Sequence, residues 1–197
     1  MAGETSSGAL MMLKELLGLV CTLSYEKRQV TLASGRTSDF YIDMKNTLLH
    51  PGGIWLASHL IGEIIKKRSQ GENAIKGVGG LTMGADPLST GVSLISHDWS
   101  NPIYAFYIRK EPKSHGTQQW LEGMKNFKKG DCVVILEDVV TTGGSTLKSI
   151  ERARLSGLNV VGVITAVDRQ EGGAENITKE NLWFESVMTR QMILDFK

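Results

Sequence analysis

Cysteine is scarce in this chain. Cys21 and Cys132 are the two among 197 residues, and they lie far apart in the sequence. Neither belongs to a metal-ligand spacing or a paired redox motif, which excludes a disulfide scaffold and a zinc cluster. Cys132 opens an apolar run and reads as a small buried hydrophobe. An excess of one charge is also missing. Lys plus Arg total 22 against 21 Asp plus Glu, a net charge of +1. The chain as a whole has no electrostatic pull toward nucleic acid or acidic membranes, so neither is an expected partner and any anion site must be built locally. No apolar run approaches the about 20 residues of a membrane span. The start, Met1 to Gly8, lacks the basic-then-apolar order of a signal peptide and is expected to be a flexible tail. These features together favour a reducing compartment, with the cytoplasm as the expected location. Internal repeats and low-complexity segments are absent too. What is present is 41% hydrophobic and 22% charged residues, enough for a packed core. Residues 9–197 read as one domain.

Along that domain, helical and strand patterns alternate. Leu10 to Leu23 has apolar residues at helical spacing. Val30 to Lys45 reads as two short strands around a Ser34-Gly35-Arg36 turn. Pro51-Gly52-Gly53 opens a helix to about Arg68. Gly77 to Gly80 is a short strand, Asp86 to Ser96 a helix, and Pro102 to Ile108 a strand. Arg109 to Gly130 is polar and irregular for much of its length. Val133-Val134-Ile135-Leu136 and Val160 to Val167 are continuous apolar runs, the pattern of strands buried on both faces. Ser145 to Leu155 is a helix closed by Gly157. Leu182 to Val187 reads as an edge strand before a short terminal helix. The expected fold is α/β, a mainly parallel central sheet flanked by helices. In such sheets ligands bind beyond the carboxyl ends of the strands.

One such strand end stands out. After Leu136 come Glu137 and Asp138, then Val139-Val140, then Thr141-Thr142-Gly143-Gly144-Ser145-Thr146 and a helix. Glycines let backbone N–H groups converge, the hydroxyls add donors, and the helix N-terminus adds partial positive charge, so a phosphate monoester is held well there. Two carboxylates at the strand tip suit vicinal ribose hydroxyls, directly or through Mg²⁺. A nucleoside-triphosphate loop is excluded, because no Gly-Lys-Ser/Thr follows the glycines. The plain alternative is an ordinary strand-to-helix turn with a capping hydroxyl.

The stretch resembles the phosphoribosyl pyrophosphate motif of the type I phosphoribosyltransferases, with Glu137 where Asp is the commoner first acid. Further segments narrow the resemblance to the orotate phosphoribosyltransferases, over roughly Leu10 to Met192. Thr31 to Tyr41 is similar to their N-terminal hood over the base, which would span about residues 9–45. Gly79 to Pro87 is similar to their diphosphate-contacting loop. Arg109-Lys110-Glu111-Pro112-Lys113-Ser114-His115-Gly116 is similar to their mobile catalytic loop, and Asp168-Arg169-Gln170-Glu171 to the segment whose arginine reads orotate. Ala33 and Met83 stand where some members carry lysines, which puts more weight on Arg109, Lys110 and Lys113.

The resemblance implies transfer of phosphoribose to orotate, with orotate and phosphoribosyl pyrophosphate as substrates and Mg²⁺ as cofactor. The metal would be bound mainly through substrate, with Asp138 a candidate ligand. Lys113, His115 and Asp138 are the implied catalytic residues. Phosphoribosyl pyrophosphate would be held by Arg109, Lys110, Lys113, His115, Glu137, Asp138, Thr141, Thr142, Gly143, Gly144, Ser145 and Thr146. Orotate would be held by Phe40, Tyr41, Thr141 and Arg169. A homodimer is implied, with the 109–116 loop shared between subunits. The basic loop also makes sense from its residues alone. A guanidinium fork and two ammonium groups can meet a densely anionic leaving group, and His115 can orient or protonate it. A solvated basic hairpin is the plain alternative there, as is an Arg169 ion pair with Glu171 or Asp168, or Phe40 and Tyr41 as packing residues. His50, His59 and His97 read as structural. A purine phosphoribosyltransferase, or a regulator of this fold sensing phosphoribosyl pyrophosphate, are the alternative functions. The hood and Asp168-Arg169-Gln170-Glu171 speak against the first, and the balanced charge with the Arg109 to His115 loop against the second.

Overall fold

A computed structural model describes residues 7–31, 37–69, 71, 74–112 and 119–196. The chain runs α1 (Ser7–Leu23), β1 (Tyr25–Glu26), β2 (Val30–Thr31), β3 (Thr37–Ser38), β4 (Tyr41–Ile42), α2 (Lys45–Leu48), α3 (Pro51–Arg68), β5 (Gly77–Leu81), α4 (Ala85–Ile95), β6 (Tyr104–Ile108), β7 (Leu121–Glu122), β8 (Cys132–Val140), α5 (Gly144–Leu155), β9 (Asn159–Asp168), α6 (Gly173–Thr178), β10 (Trp183–Thr189) and α7 (Arg190–Asp195). Six strands form the central sheet in the order β10-β9-β8-β5-β6-β7. All neighbours are parallel except β6 and β7, which pair antiparallel at the edge. The expected α/β architecture is what the chain adopts.

The pleat of β8 explains the layers. Val134 and Leu136 point into one core, shared with α1, α3, α4 and the hood residues Phe40 and Met44. Val133 and Ile135 point into a second core with Ile150 and Ala153 of α5 and Ile177 of α6. Because both faces are covered, β8 needs apolar residues at every position, which is why it reads as a continuous run. Local signals set the helix ends. His50 precedes Pro51 at the first turn of α3, and its Nδ1 accepts from Gly53 N–H at 3.4 Å. Lys66, Lys67 and Arg68 complete the last turn, where the helix dipole favours cations.

Three boundaries differ from the sequence expectation. Helix α1 begins at Ser7, inside the stretch expected as a tail. The 109–130 segment contains β7 and a 3₁₀ turn at Met124–Asn126. Most importantly, β8 does not end at Leu136. It continues through Glu137 and Asp138 to Val140, with Glu137 opposite Thr165 and Val140 opposite Asp168 of β9. The two acids therefore sit within the strand and not beyond its tip. The hood is two small antiparallel ribbons, β1 with β4 and β2 with β3. Cys132 is buried as expected, and neither cysteine is in a disulfide.

Candidate functional site

The same pleat that separates the two cores separates the two acids. Glu137 continues the Val133-Ile135 face, under α5. Asp138 continues the Val134-Leu136 face, toward the hood and α4. Glu137 is buried, and its Oε2 accepts from Ser145 Oγ at 2.9 Å and from Thr146 Oγ1 at 3.2 Å. In this structure its reach is to the hydroxyls of the loop, which it ties down from below. Asp138 is half-buried, and its Oδ1 accepts from Val139 N–H at 2.9 Å.

Between β8 and α5 the loop turns sharply. Gly143 takes φ +83°, a left-handed conformation that disfavours any side chain, and it brings no capping group to α5. The first-turn N–H groups of α5 lack intrahelical acceptors and face the loop mouth. Thr142, Gly144 and Ser145 are exposed, Thr141 is half-buried, and Gly143 and Thr146 are buried. Asn176 of α6 braces the turn by donating from Nδ2 to Thr142 O at 3.1 Å. The turn thus joins the end of β8 directly to the N-terminus of α5.

Burial pushes Glu137 up to about 7 from its ordinary 4.5; the neighbouring Asp138 charge adds to the rise and the two hydroxyl donors oppose it. Burial also raises Asp138, against the Val139 N–H and the positive field of Lys45. A folded-state value above the unfolded one makes Glu137 a stabilising proton holder at low pH. That contribution is complete below about 4.5 and is lost as pH rises through about 7. The unfolding midpoint should therefore fall between pH 5 and pH 8, by at most about 3 kcal/mol of stability. Glu137→Gln keeps an acceptor for Ser145 and Thr146 without the charge, so it should flatten that slope in a thermal melt series. A slope unchanged by Glu137→Gln would assign the pH dependence elsewhere.

On the hood side, Phe40 is fully buried and packs on Tyr25 with ring centroids 5.0 Å apart. Tyr41 is half-buried, and the Arg28 guanidinium stacks 3.8 Å from its ring centroid. Arg169 leaves the end of β9 and turns inward. It is 7% exposed, and its Nη2 meets Glu171 Oε1 at 2.8 Å and Phe40 O at 3.3 Å. The Glu171 ion pair weighed as an alternative is present, and the arginine also joins the hood backbone. Phe40 and Arg169 are brought together, and Arg169 N–H donates to Val140 O, next to Thr141, at 2.9 Å.

The loop after β5 and the stem of the 109–120 segment form a second part of the site. A cavity of about 430 Å³ lies between them, lined by Thr82, Tyr107, Arg109, Lys110, Glu111 and Glu122. Arg109 Nη1 pairs with Glu122 at 3.0 Å, while its buried Nε has no hydrogen-bond acceptor among the described residues. Arg152 of α5 fixes the stem by donating from Nη1 to Arg109 O at 2.8 Å, and it stacks on Trp120. Lys113 and His115 lie outside the described residues, as does Ala33. Met83 is exposed on the β5–α4 loop. A larger cavity, about 560 Å³, sits on the outer face of α5, away from both acids. Of the histidines read as structural, His50 caps α3, His59 stacks on Trp55, and His97 is exposed.

The structure adds residues that sequence reasoning passed over. Lys45 pairs with Asp43 at 2.6 Å, and each is close enough to act on the Asp138 charge. The Asp43 partner holds the Lys45 ammonium above its ordinary value. Gly84, at the start of α4, is in close contact with the Asp138 carboxylate: a Cβ there would lie 2.5 Å from Oδ1. Lys45 had no sequence signal beyond closing the hood segment, and Gly84 stood within the Gly79 to Pro87 segment with no link to Asp138. Among the described residues, no three His, Cys, Asp or Glu side chains converge as a metal cage, and no helix is long and apolar enough to cross a membrane.

No protein-family model matches the chain. Curated relatives do. It is 43% identical to the orotate phosphoribosyltransferase of Nostoc sp. over 176 residues, 89% of this chain and 82% of the relative. It is 43% identical to that of Sorangium cellulosum over 178 residues, 90% and 91% of the two chains. The crystal structure of the Mycobacterium tuberculosis H37Rv orotate phosphoribosyltransferase in complex with 5-phospho-alpha-D-ribosyl 1-diphosphate superposes with a TM-score of 0.72 at 34% identity, covering 92% of this chain and 98% of that one. With the fold and near full-length identity of this level in agreement, the chain belongs to the orotate phosphoribosyltransferase family.

Proposed function

We propose that the chain transfers phosphoribose from phosphoribosyl pyrophosphate to orotate, giving orotidine 5′-monophosphate and diphosphate in pyrimidine biosynthesis. The observation that carries this reading is the β8–α5 unit, with a carboxylate toward the hood and a glycine-turned cradle at a helix N-terminus, in a chain of this family. The 5′-phosphate sits in the cradle of Thr141 to Thr146. The Asp138 carboxylate accepts from ribose hydroxyls, and Glu137 holds Ser145 and Thr146 in place beneath the phosphate. Arg109 and Lys110 line the diphosphate side, where the buried Arg109 Nε offers a donor. Lys113 and His115, outside the described residues, supply further positive charge and a proton donor for the leaving group.

The C1–O bond breaks toward an oxocarbenium-like centre, the electron pair leaves with diphosphate, and the orotate ring nitrogen forms the new bond to C1 as its N–H proton passes to the departing diphosphate or to solvent. Fixed cations around the diphosphate stabilise the charge that develops on it. Asp138, whose side-chain donors are all oxygen, would help hold a hard cation such as Mg²⁺ brought with the substrate, and that cation would supply further charge neutralisation. Phe40, Tyr41, Thr141 and Arg169 position the base. The enzyme acts as a homodimer with its 109–116 loop serving the neighbouring site, in the cytoplasm, where unpaired cysteines persist.

A base panel with Mg²⁺ and phosphoribosyl pyrophosphate tests the reading. Diphosphate release is expected with orotate and not with uracil, adenine, guanine or hypoxanthine. A site whose buried donors meet a specific anion rejects analogues lacking it by on the order of 10⁴-fold. Preference for a purine would overturn the orotate assignment and leave the phosphoribose site standing. Binding of phosphoribosyl pyrophosphate without release for any base would favour a sensing protein.

A further inference from the structure

The hood has little to hold it. Its two ribbons pair only two residues on each strand, and ribbons of that size are not stable on their own in water. Their position must come from contacts with the rest of the chain. Phe40 supplies the centre of those contacts, because two guanidinium groups stand over its ring. Arg169, from the loop after β9, lies 5.5 Å from the ring centroid, and Arg190, the first residue of α7, lies 5.3 Å from it. Arg190 Nη2 is also 3.6 Å from Asp39 Oδ1, on the residue before Phe40.

The next residue of α7 meets the loop after β9. Gln191 N–H donates to Gln170 Oε1 at 3.1 Å. Gln170 follows Arg169, holds a left-handed φ of +57°, and donates its own N–H to Asp168 Oδ1 at 2.8 Å. The start of α7 therefore touches both the hood at Asp39-Phe40 and the loop that carries Arg169. The two arginines differ in commitment. Arg169 is buried, with its Nη2 between Glu171 and Phe40 O. The Arg190 side chain is 35% exposed and its ion pair is long, so it can loosen without unfolding the core.

We propose that Arg190 and Gln191 form a clasp that positions the hood against the Arg169 loop and so sets the affinity for the base. The proposal rests on the reading that Phe40, Tyr41 and Arg169 take orotate. Arg190 acts through Phe40 and Asp39 and is a positioning residue.

The test measures KM for orotate and for phosphoribosyl pyrophosphate separately, in the full chain with Mg²⁺. Arg190→Met keeps the aliphatic stem and removes the charge. It should raise the orotate KM about fivefold, the size expected of a half-exposed cation–π contact and a long ion pair together. The phosphoribosyl pyrophosphate KM should stay within about twofold, and Arg190→Lys should recover most of the loss. Asp39→Lys, at an exposed position that does not threaten folding, should repel Arg190 and raise the orotate KM similarly. Combining it with Arg190→Met should add nothing, since both break one contact. An orotate KM unchanged in Asp39→Lys and Arg190→Met, or equal rises in both KM values, would overturn the clasp. Arg169→Ala run alongside separates the two levels. If it raises the orotate KM while the clasp variants do not, the clasp alone fails. If it leaves the orotate KM unchanged, the base-pocket reading falls and the clasp with it.

Discussion

Asp138→Asn is expected to fold as the wild type does and to turn over on the order of 100-fold or more slowly, the size typical of removing a charged group that meets the reacting centre. The substitution keeps the shape of the side chain, and its Oδ1 can still accept from Val139 N–H, which sits 2.9 Å away in the wild type. What it removes is charge. Burial already raises the Asp138 carboxyl above its ordinary value, so the folded protein bears a cost for the ionised form that an amide avoids. The melting temperature should stay level or rise slightly while activity falls. Lys45 keeps its pairing with Asp43, so no buried cation is stranded. Steady-state kinetics at saturating orotate, with a melt on the same sample, check both halves. A folded Asp138→Asn protein with wild-type kinetics would remove this carboxylate from the proposed mechanism.

How far such a site could be read in advance depends on the range of the interactions that build it. The buried strands were legible because covering both faces of β8 and β9 demands apolar residues in sequence, and that demand is local. The end of β8 was not. Its apolar run stops at Leu136, yet Glu137, Val139 and Val140 keep their register with Thr165, Val167 and Asp168. Polar side chains are tolerated there because Ser145 and Thr146 satisfy one face and the site opens on the other. Once the strand is known to continue, strict alternation puts Glu137 and Asp138 on opposite faces. Their separation was therefore implicit in the sequence, hidden by a misplaced boundary. The Arg169–Glu171 pair is two residues apart and could be foreseen. The bond from Arg169 to Phe40 O could not, since it depends on how the hood folds back over the sheet. The same holds for Lys45 and Asp43 beside Asp138, and for Arg190 over Phe40. Strand β7 escaped notice for a related reason: two residues, paired across a long excursion, leave no period to detect.

Gly84→Ala carries the other large effect, and it acts on Asp138 without touching it chemically. Gly84 has φ −61° and ψ −42°, ordinary helical values that alanine adopts freely, so the backbone gives no reason for glycine. Packing does. A methyl group at this position would lie 2.5 Å from Asp138 Oδ1, 2.6 Å from Cγ and 2.9 Å from Oδ2. Contacts that short cannot persist, so either the carboxylate rotates away or the β5–α4 loop moves outward. A carboxylate is the flexible end of a side chain, and its rotation is the cheaper response. Stability should change by no more than about 1 kcal/mol, as for a surface-accessible clash that a side chain relieves. Turnover should fall about 10- to 100-fold, because a displacement of about 1 Å at a positioning group is enough to lose that much rate. A second background isolates the cause. In Asp138→Ala the added methyl has no carboxylate to strike, so Gly84→Ala introduced there should alter neither the melting temperature nor the residual activity. Equal losses in both backgrounds would point to movement of the β5–α4 loop itself, and wild-type kinetics for Gly84→Ala alone would show that the position of the Asp138 carboxylate does not limit the reaction.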